Sequence, residues 1–250
     1  MKRKKYTWKS KEDYTYLKNR KKFLDKNFKN KLDYLVDGFP KYAKRQEITR
    51  FIARIDLFKK IIKVQGSIVE CGVYSGNGIF TWSLLSCIHE PIGGILRKVI
   101  GFDTFDGFPS INSKDTKSGK LNWRKGDLRQ KTYSELSQAK AIFDQNRFLS
   151  QMNKIELIKG DFLKTGPKYI KDNPHLIISL LFLDFDLYEP TKKALEIFLP
   201  RMSKGSVIVF DQINHSLWPG ETLALLEKFN LNKKRIKKYD YETNMSYIEV

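Results

Sequence analysis

The chain has 250 residues, enough to bury one substantial core, with 47 Lys and Arg against 28 Asp and Glu, a formal net charge of +19, and two cysteines. Two cysteines exclude a disulfide framework and a Cys-rich metal centre, and no apolar run reaches the roughly eighteen residues that span a bilayer. The basic start, Met1 to Lys5, runs into charged residues instead of an apolar signal core, so a soluble, cytoplasmic protein without a membrane partner is expected.

Much of the positive charge lies in residues 1–34 and 228–238, and lysine outnumbers arginine. Specific recognition of phosphates and bases favours the arginine fork, so the excess reads first as a solvated lysine-rich surface, with an anionic small substrate or a nucleic acid as the other readings. Over residues 1–35, Tyr6, Trp8, Tyr14, Tyr16, Phe23 and Phe28 alternate with lysines, while Leu17, Leu24, Leu32 and Leu35 fall at helical spacing. Interleaved basic and aromatic residues can grip single-stranded nucleic acid. Helical spacing favours instead a helix packed on the body of the protein or on a partner subunit, and a homo-oligomer is expected. Residues 1–40, closed by Phe39-Pro40, are predicted to be a basic helical extension, and residues 41–250 the main domain. A second helix is predicted over about residues 41–63, with Ile48, Phe51, Ile52, Ile55 and Phe58 facing the core. Lys44, Arg45, Gln46 and Arg50 on it are polar enough to reach a cleft, and Arg45 is taken as a candidate substrate contact.

The main domain opens with a βαβ pattern: a buried strand at residues 67–69, glycines at 72, 76 and 78 in a tight turn, a helix over 79–89, and a strand over 99–103. In a parallel βαβ unit an acid at the second strand tip, here Asp103, can hydrogen-bond the ribose hydroxyls of a nucleoside held over the glycine turn. The order Glu70-x-Gly72-x-x-x-Gly76-x-Gly78 is not the G-x-G-x-x-G of dinucleotide sites, and its leading acid suits a cationic ligand better than a diphosphate. The pattern resembles the first motif of class I S-adenosylmethionine-dependent methyltransferases. That resemblance implies S-adenosylmethionine at Glu70, Gly72, Tyr74, Ser75, Gly76, Asn77 and Gly78, with Asp103, Thr104 and Phe105 at the next strand tip.

A polar span without periodicity follows Pro109 and continues to about residue 129. Loops of that length in a compact domain are commonly binding loops, so a substrate cover is the functional reading. A helix is predicted over residues 132–148 and a strand over 155–159, ending in Gly160-Asp161-Phe162. An acid and an aromatic there can meet an adenine, or Asp161 can simply cap the next helix.

The apolar run from Leu176 to Leu183 reads as a central strand covered on both faces; Asp184, Asp186 and Glu189 follow it, and Pro190 begins a helix. A further strand from Lys204 ends in Asp211-Gln212. Were these two strands parallel neighbours, their tips would lie about 5 Å apart. Asp184, Asp211 and Gln212 would then offer three oxygens to a hard divalent cation such as Mg²⁺, although a helix cap explains any one of them alone. His215, Trp218 and Glu221 in the departing loop either line a substrate pocket or serve as packing and first-turn residues. A helix over 222–229 and a hairpin of 235–239 with 246–250 complete the chain.

Together, Val69 to Val73, Gly101 to Pro109, Leu183 to Thr191, Val209 to Gln212 and Trp218 to Glu221 resemble the macrocin O-methyltransferase (TylF-type) family of sugar O-methyltransferases. The resemblance implies an α/β, Rossmann-like class I fold with a mostly parallel seven-stranded sheet flanked by helices. It also implies metal-dependent methyl transfer to a hydroxyl of a deoxysugar, a nucleotide-linked hexose included, with Asp184 and the Asp211-Gln212 pair as ligands. The chain has Gln212 where some members have a second acid, and the extension is not covered. Asp186 is the candidate general base, with Asp184 and His215 as alternatives. The rival is an RNA methyltransferase, or a nucleic-acid-binding protein of this fold, using the basic arm. The Asn/Asp-Pro-Pro-aromatic motif of base amino methylation is absent after the fourth strand, and both cysteines lie in the first βα unit, away from a nucleophile's place.

Overall fold

Continuous apolar runs, buried on both faces, build the core. In the computed structural model, which describes residues 11–27, 36, 38–116 and 123–250, β1 (Ser67–Cys71), β2 (Val99–Asp103), β3 (Ile155–Lys159), β4 (Ile178–Leu183) and β5 (Met202–Phe210) pair in parallel. β7 (Ser246–Glu249) runs antiparallel to β5 and carries β6 (Lys237–Lys238) at the edge, giving the order β3-β2-β1-β4-β5-β7-β6. Successive side chains on a strand point to opposite faces. Ile68, Leu180, Phe182, Val207 and Val209 accordingly join one apolar cluster, and Val69, Leu181, Leu183, Ile208 and Phe210 the other.

Helices cover both faces, which is why the strands read as continuous apolar runs. α2 (Arg45–Ile61) and α3 (Asn77–His89) supply Leu57, Phe58, Ile79 and Trp82 to the first cluster, all fully buried. α6 (Phe162–Asp172), α7 (Tyr188–Phe198) and α8 (Pro219–Lys228) supply Phe162, Leu195, Phe198 and Ala224 to the second. Each large side chain so buried contributes about 1.5–3 kcal/mol. α4 (Ser113–Thr116) and α5 (Tyr133–Gln145) lie between β2 and β3 in sequence.

The residues divide into two compact units, one ending at Ile48 and one beginning at Thr49. The first holds α1 (Lys11–Asn27) and a 3-10 turn at Phe39–Lys41. The parts of the extension built on Tyr6, Trp8, Phe28, Leu32 and Leu35 lie outside the described residues.

Two expectations change. α7 begins at Tyr188, two residues before Pro190. A proline tolerates the first turn because its missing N–H would have no partner in the helix. The cap comes from elsewhere in the chain: Asp115 Oδ1 accepts a 2.7 Å hydrogen bond from Tyr188 N. That contact also alters the long loop, because α4 docks on the start of α7, with Asn112 Nδ2 donating to Glu189 Oε1. Residues 117–122 of this loop lie outside the described residues.

Candidate active site

The sheet runs outward from β1 to β2 and β3, then returns to β4 on the other side of β1. Such a switch point leaves a crevice at the carboxyl ends of the two central strands. Gly72 and Asp184 stand there. A Cβ on Gly72, whose φ is +96°, would lie 2.0 Å from the Asp184 carbonyl oxygen, so only glycine fits. A cavity of about 260 Å³ opens beside them, lined by Gly72, Tyr74, Asp103 and Thr104 from the first βαβ unit. Gly160, Asp161 and Phe162 from the tip of β3, and Asp184 and Asp186 from the tip of β4, complete its predicted lining.

Asp103 holds the glycine turn. Its Oδ2 accepts hydrogen bonds from Val73 N at 2.9 Å and Tyr74 N at 2.8 Å, and its Oδ1 accepts one from Phe105 N at 2.6 Å. A carboxylate has about four acceptor positions, so one remains for a ligand hydroxyl. Phe105 itself faces away, 4% exposed and packed on Tyr133. Gly76 caps α3 in the left-handed region at φ 86°. Glu70 lies beneath this turn, 2% exposed, and a Cβ on Gly78 would meet its Oε1 at 2.1 Å. Burial pushes the Glu70 carboxyl up to about 7 against the pull of Arg54. Glu70 is thus under the turn, while Ser75 and Asn77 belong to the turn and the first position of α3, where Asn77 Oδ1 accepts from Arg54 Nη1. Asp161 caps α6 through Leu163 N at 3.0 Å and also lines the cavity.

β4 and β5 are neighbours, with Leu183 opposite Phe210. Asp184 and Asp211 therefore leave adjoining strand tips, tied by hydrogen bonds from Asp184 N to Cys71 O and from Asp211 N to Leu183 O. Arg50 of α2 reaches both: its Nη2 donates to Asp211 Oδ1 at 2.6 Å and lies 3.8 Å from Asp184 Oδ2. Arg45, the expected substrate contact, instead opens α2 within the first unit. The available signal was the pair Arg50 and Arg54, one helical turn apart on a face otherwise apolar.

Glu221 does not line the cavity; it is 0% exposed. Its two oxygens accept from Asp186 N at 3.3 Å and Gln212 N at 3.2 Å, clamping the loops after β4 and β5 together. Burial, then the nearby Asp186 and Asp211, raises the Glu221 carboxyl well above the usual range. Burial first, then Asp211, Asp186 and Glu221, raises Asp184 likewise, against the opposing field of Arg50. Its side chain keeps 27% of its surface exposed, so solvent tempers that effect. Asp186, at φ 61° and 9% exposed, is pushed up to about 8 by burial and by Asp211. Of the six non-glycine residues with positive φ among those described, Tyr74, Phe105, Leu128, Asp186 and Asn214 lie on loops at this edge. Each costs about 1–3 kcal/mol, strain typical of functional loops.

His215 sits in the turn after β5, where its Nδ1 accepts from Leu217 N at 3.3 Å. Trp218 stacks on Trp123 at 4.0 Å between centroids, with Phe108 edge-on to both. Trp123, absent from the predicted site, joins the loop after β2 to the loop after β5. The donor set suits a hard cation: Asp186 Oδ1 and Gln212 Oε1 are buried without a hydrogen-bond partner among the described residues. No group of three or more His, Cys, Asp or Glu with metal-ligating geometry occurs among the described residues. A site here thus depends on the amide oxygen of Gln212 beside two carboxylates.

The sequence profile of the macrocin-O-methyltransferase (TylF) family matches residues 40–238. The chain belongs to this family. A relative from Streptomyces olivaceus, 8-demethyl-8-(2,3-dimethoxy-alpha-L-rhamnosyl)-tetracenomycin-C 4'-O-methyltransferase, is 30% identical over 149 residues, 59% of this chain and 53% of that protein. The chain thus matches about half the length of that curated relative. Among solved structures, CalS11, calicheamicin methyltransferase, is 28% identical with a TM-score of 0.88, over 98% of this chain and 95% of that one. The apo structure of CalS11, described as a TDP-rhamnose 3'-O-methyltransferase, is 26% identical with a TM-score of 0.81, covering 100% of this chain and 99% of the other. The O-methyltransferase NovP shares the fold, with a TM-score of 0.63 at 19% identity over 81% of this chain and 79% of that one. The expected class I methyltransferase fold, with its mostly parallel seven-stranded sheet, is what the chain adopts.

Proposed function

We propose that the protein transfers a methyl group from S-adenosylmethionine to a hydroxyl of a nucleotide-linked deoxyhexose, with a divalent cation, Mg²⁺, at Asp184, Asp211 and Gln212. The observation that carries this reading is the acid cluster at the switch point: Asp184, Asp186 and Asp211 gather beside a glycine turn whose amides Asp103 holds. Family membership and the printed substrate of the apo CalS11 structure support the acceptor class. The catalytic domain is residues 41–250, and the basic arm of residues 1–40 is peripheral to catalysis.

When bound, S-adenosylmethionine supplies an electrophilic methyl and the cation supplies positive charge beside the acceptor oxygen. The chain does the rest. Asp103 and the glycine turn orient the nucleoside, and Asp161 with Phe162 offers an acceptor and an apolar face to its base. Held by the glycine turn, Asp103, Asp161 and Phe162, the cofactor would supply the methyl to the acceptor oxygen and keep the carbon–sulfur electron pair on sulfur. The hydroxyl proton goes to the Asp186 carboxylate, whose affinity for protons near neutrality suits a general base. The Trp123–Trp218 stack ties the loops after β2 and β5 together, and alignment of the reacting atoms supplies much of the acceleration. The reading extends to a cytoplasmic, homo-oligomeric enzyme; Cys71 and Cys87 are free thiols, as a reducing compartment keeps them.

The test is methyl transfer by the full chain to TDP-linked deoxyhexoses, before and after chelation, with RNA as a parallel acceptor. Methylated sugar nucleotide that vanishes on chelation and returns with Mg²⁺ is expected. Methyl incorporation into RNA alone would replace this reading with the nucleic-acid one.

A further inference from the structure

At the opposite edge of the sheet, where the strands begin, a second cavity of about 250 Å³ lies between the end of α3, the turn at Gly93–Leu96, the end of α5 and the start of β3. Lys154, Arg147, Asn146, Glu90 and Cys87 line it. The proposed methyl transfer uses none of them.

Its cations have donors to spare. Lys154 is 4% exposed, and its Nζ donates to Ser86 Oγ and Gly94 O, each at 2.6 Å. Both acceptors are neutral, and an ammonium carries three hydrogens, so one remains. Arg147 has a side chain 6% exposed; it donates from Nε to Asp144 Oδ1 at 2.6 Å and from Nη1 to Phe148 O at 3.1 Å. Its Nη2 is buried with no partner among the described residues.

The neighbouring carboxylates are already engaged. Asp144 takes Arg147 and the backbone N–H of Lys154. Glu90 takes Arg97 at 2.7 and 2.9 Å and the Ser86 hydroxyl. Among the described residues Lys154 therefore has no carboxylate in hydrogen-bond contact, an arrangement that proteins rarely leave uncompensated. Burial, reinforced by Arg97 and Arg147, draws the Lys154 ammonium down to about 8, although Cys87 and Glu90 oppose this.

We infer that this cavity binds a small oxyanion, with inorganic phosphate as its minimal ligand, held by Lys154 Nζ and Arg147 Nη2. A phosphate oxygen accepts from both groups, satisfies the orphaned donor and neutralises the buried ammonium. The cavity is separate from the crevice at Gly72 and Asp184, at the other end of the same strands.

Cys87 gives a local readout, because it lines the cavity at intermediate exposure, whereas Cys71 is 0% exposed. The rate of Cys87 alkylation by iodoacetamide, a neutral reagent, would be followed by peptide mass spectrometry with increasing phosphate and with chloride at matched ionic strength. Phosphate at about ten times its Kd leaves roughly one site in ten open, so alkylation should slow about ten-fold while chloride leaves it unchanged. Arg147→Gln and Lys154→Met should each abolish the protection; the second removes a buried charge and guards against a folding defect in the first. Lack of protection in the parent, or equal protection in parent and in whichever variant melts cooperatively, would overturn the site.

Discussion

Arg50 Nη2 donates to Asp211 Oδ1 at 2.6 Å, bringing a guanidinium from α2 to the carboxylate that ends β5. Burial works against its charge, but Asp211 and Asp184 outweigh burial and hold the guanidinium above its ordinary pKa. The same Asp211 carboxylate belongs to the proposed cation site, so Arg50 and a divalent cation compete for it. Arg50→Met strands the Asp211 charge and should cost about 2 kcal/mol, less than a fully buried pair because Arg50 is 24% exposed. Mg²⁺ should raise the melting temperature of this variant more than that of the parent. Equal shifts in thermal melts would remove the competition.

Glu221 is a clamp, and its loss should be felt at both strand ends. Glu221→Ala leaves the N–H groups of Asp186 and Gln212 without their acceptor, at about 3 kcal/mol in urea unfolding. Glu221→Gln retains one carbonyl oxygen and should cost about half as much. Methyl transfer should fall further than stability in the alanine variant, because Asp186 loses its position.

Asp103 binds three backbone amides before any ligand arrives. Asp103→Ala should weaken S-adenosylmethionine binding ten-fold or more, the equivalent of about 1.5–3 kcal/mol per charge-assisted hydrogen bond. It should also speed hydrogen exchange at Val73, Tyr74 and Phe105, which calorimetry alone would not reveal. Weaker binding with unchanged exchange would assign Asp103 to the ligand alone.

Glu70 sets a pH dependence of stability. Burial pushes its carboxyl from the ordinary 4.5 up to about 7, so the folded state binds the proton more tightly. Stability from this group is complete below the lower value and is lost as pH rises from 4.5 through about 7. Glu70→Gln removes the titration. Urea midpoints of parent and variant should diverge in the variant's favour between pH 5 and pH 7.5, a window spanning the shift to about 7; parallel pH profiles would reject it.

Periodicity and punctuation made the fold legible. The apolar runs at Ile68, Ile100, Leu181 and Ile208 read as buried strands, as they are, and Gly72 and Gly76 form the expected turn, whereas Gly78 already lies in α3. The adjacency of the Asp184 and Asp211 strands is not written in one dimension; the pairing of Leu183 with Phe210 supplies it. Helix ends were less legible, as at Tyr188, because the capping Asp115 lies 73 residues away.

The sequence by itself determined which residues form strands and helices, the glycine turn and the acids that end β2, β4 and β5. Local sterics and alternation decide those, residue by residue. Only the tertiary structure decided which acids face the cavity and which lie beneath it. Glu70 and Glu221 look as available in sequence as Asp103 and Asp186, yet packing buries them to 2% and 0% exposure, under α3 and between two loops. Arg50 became a partner of Asp211 across 161 residues for the same reason: burial of α2's apolar face fixes where its polar residues can reach.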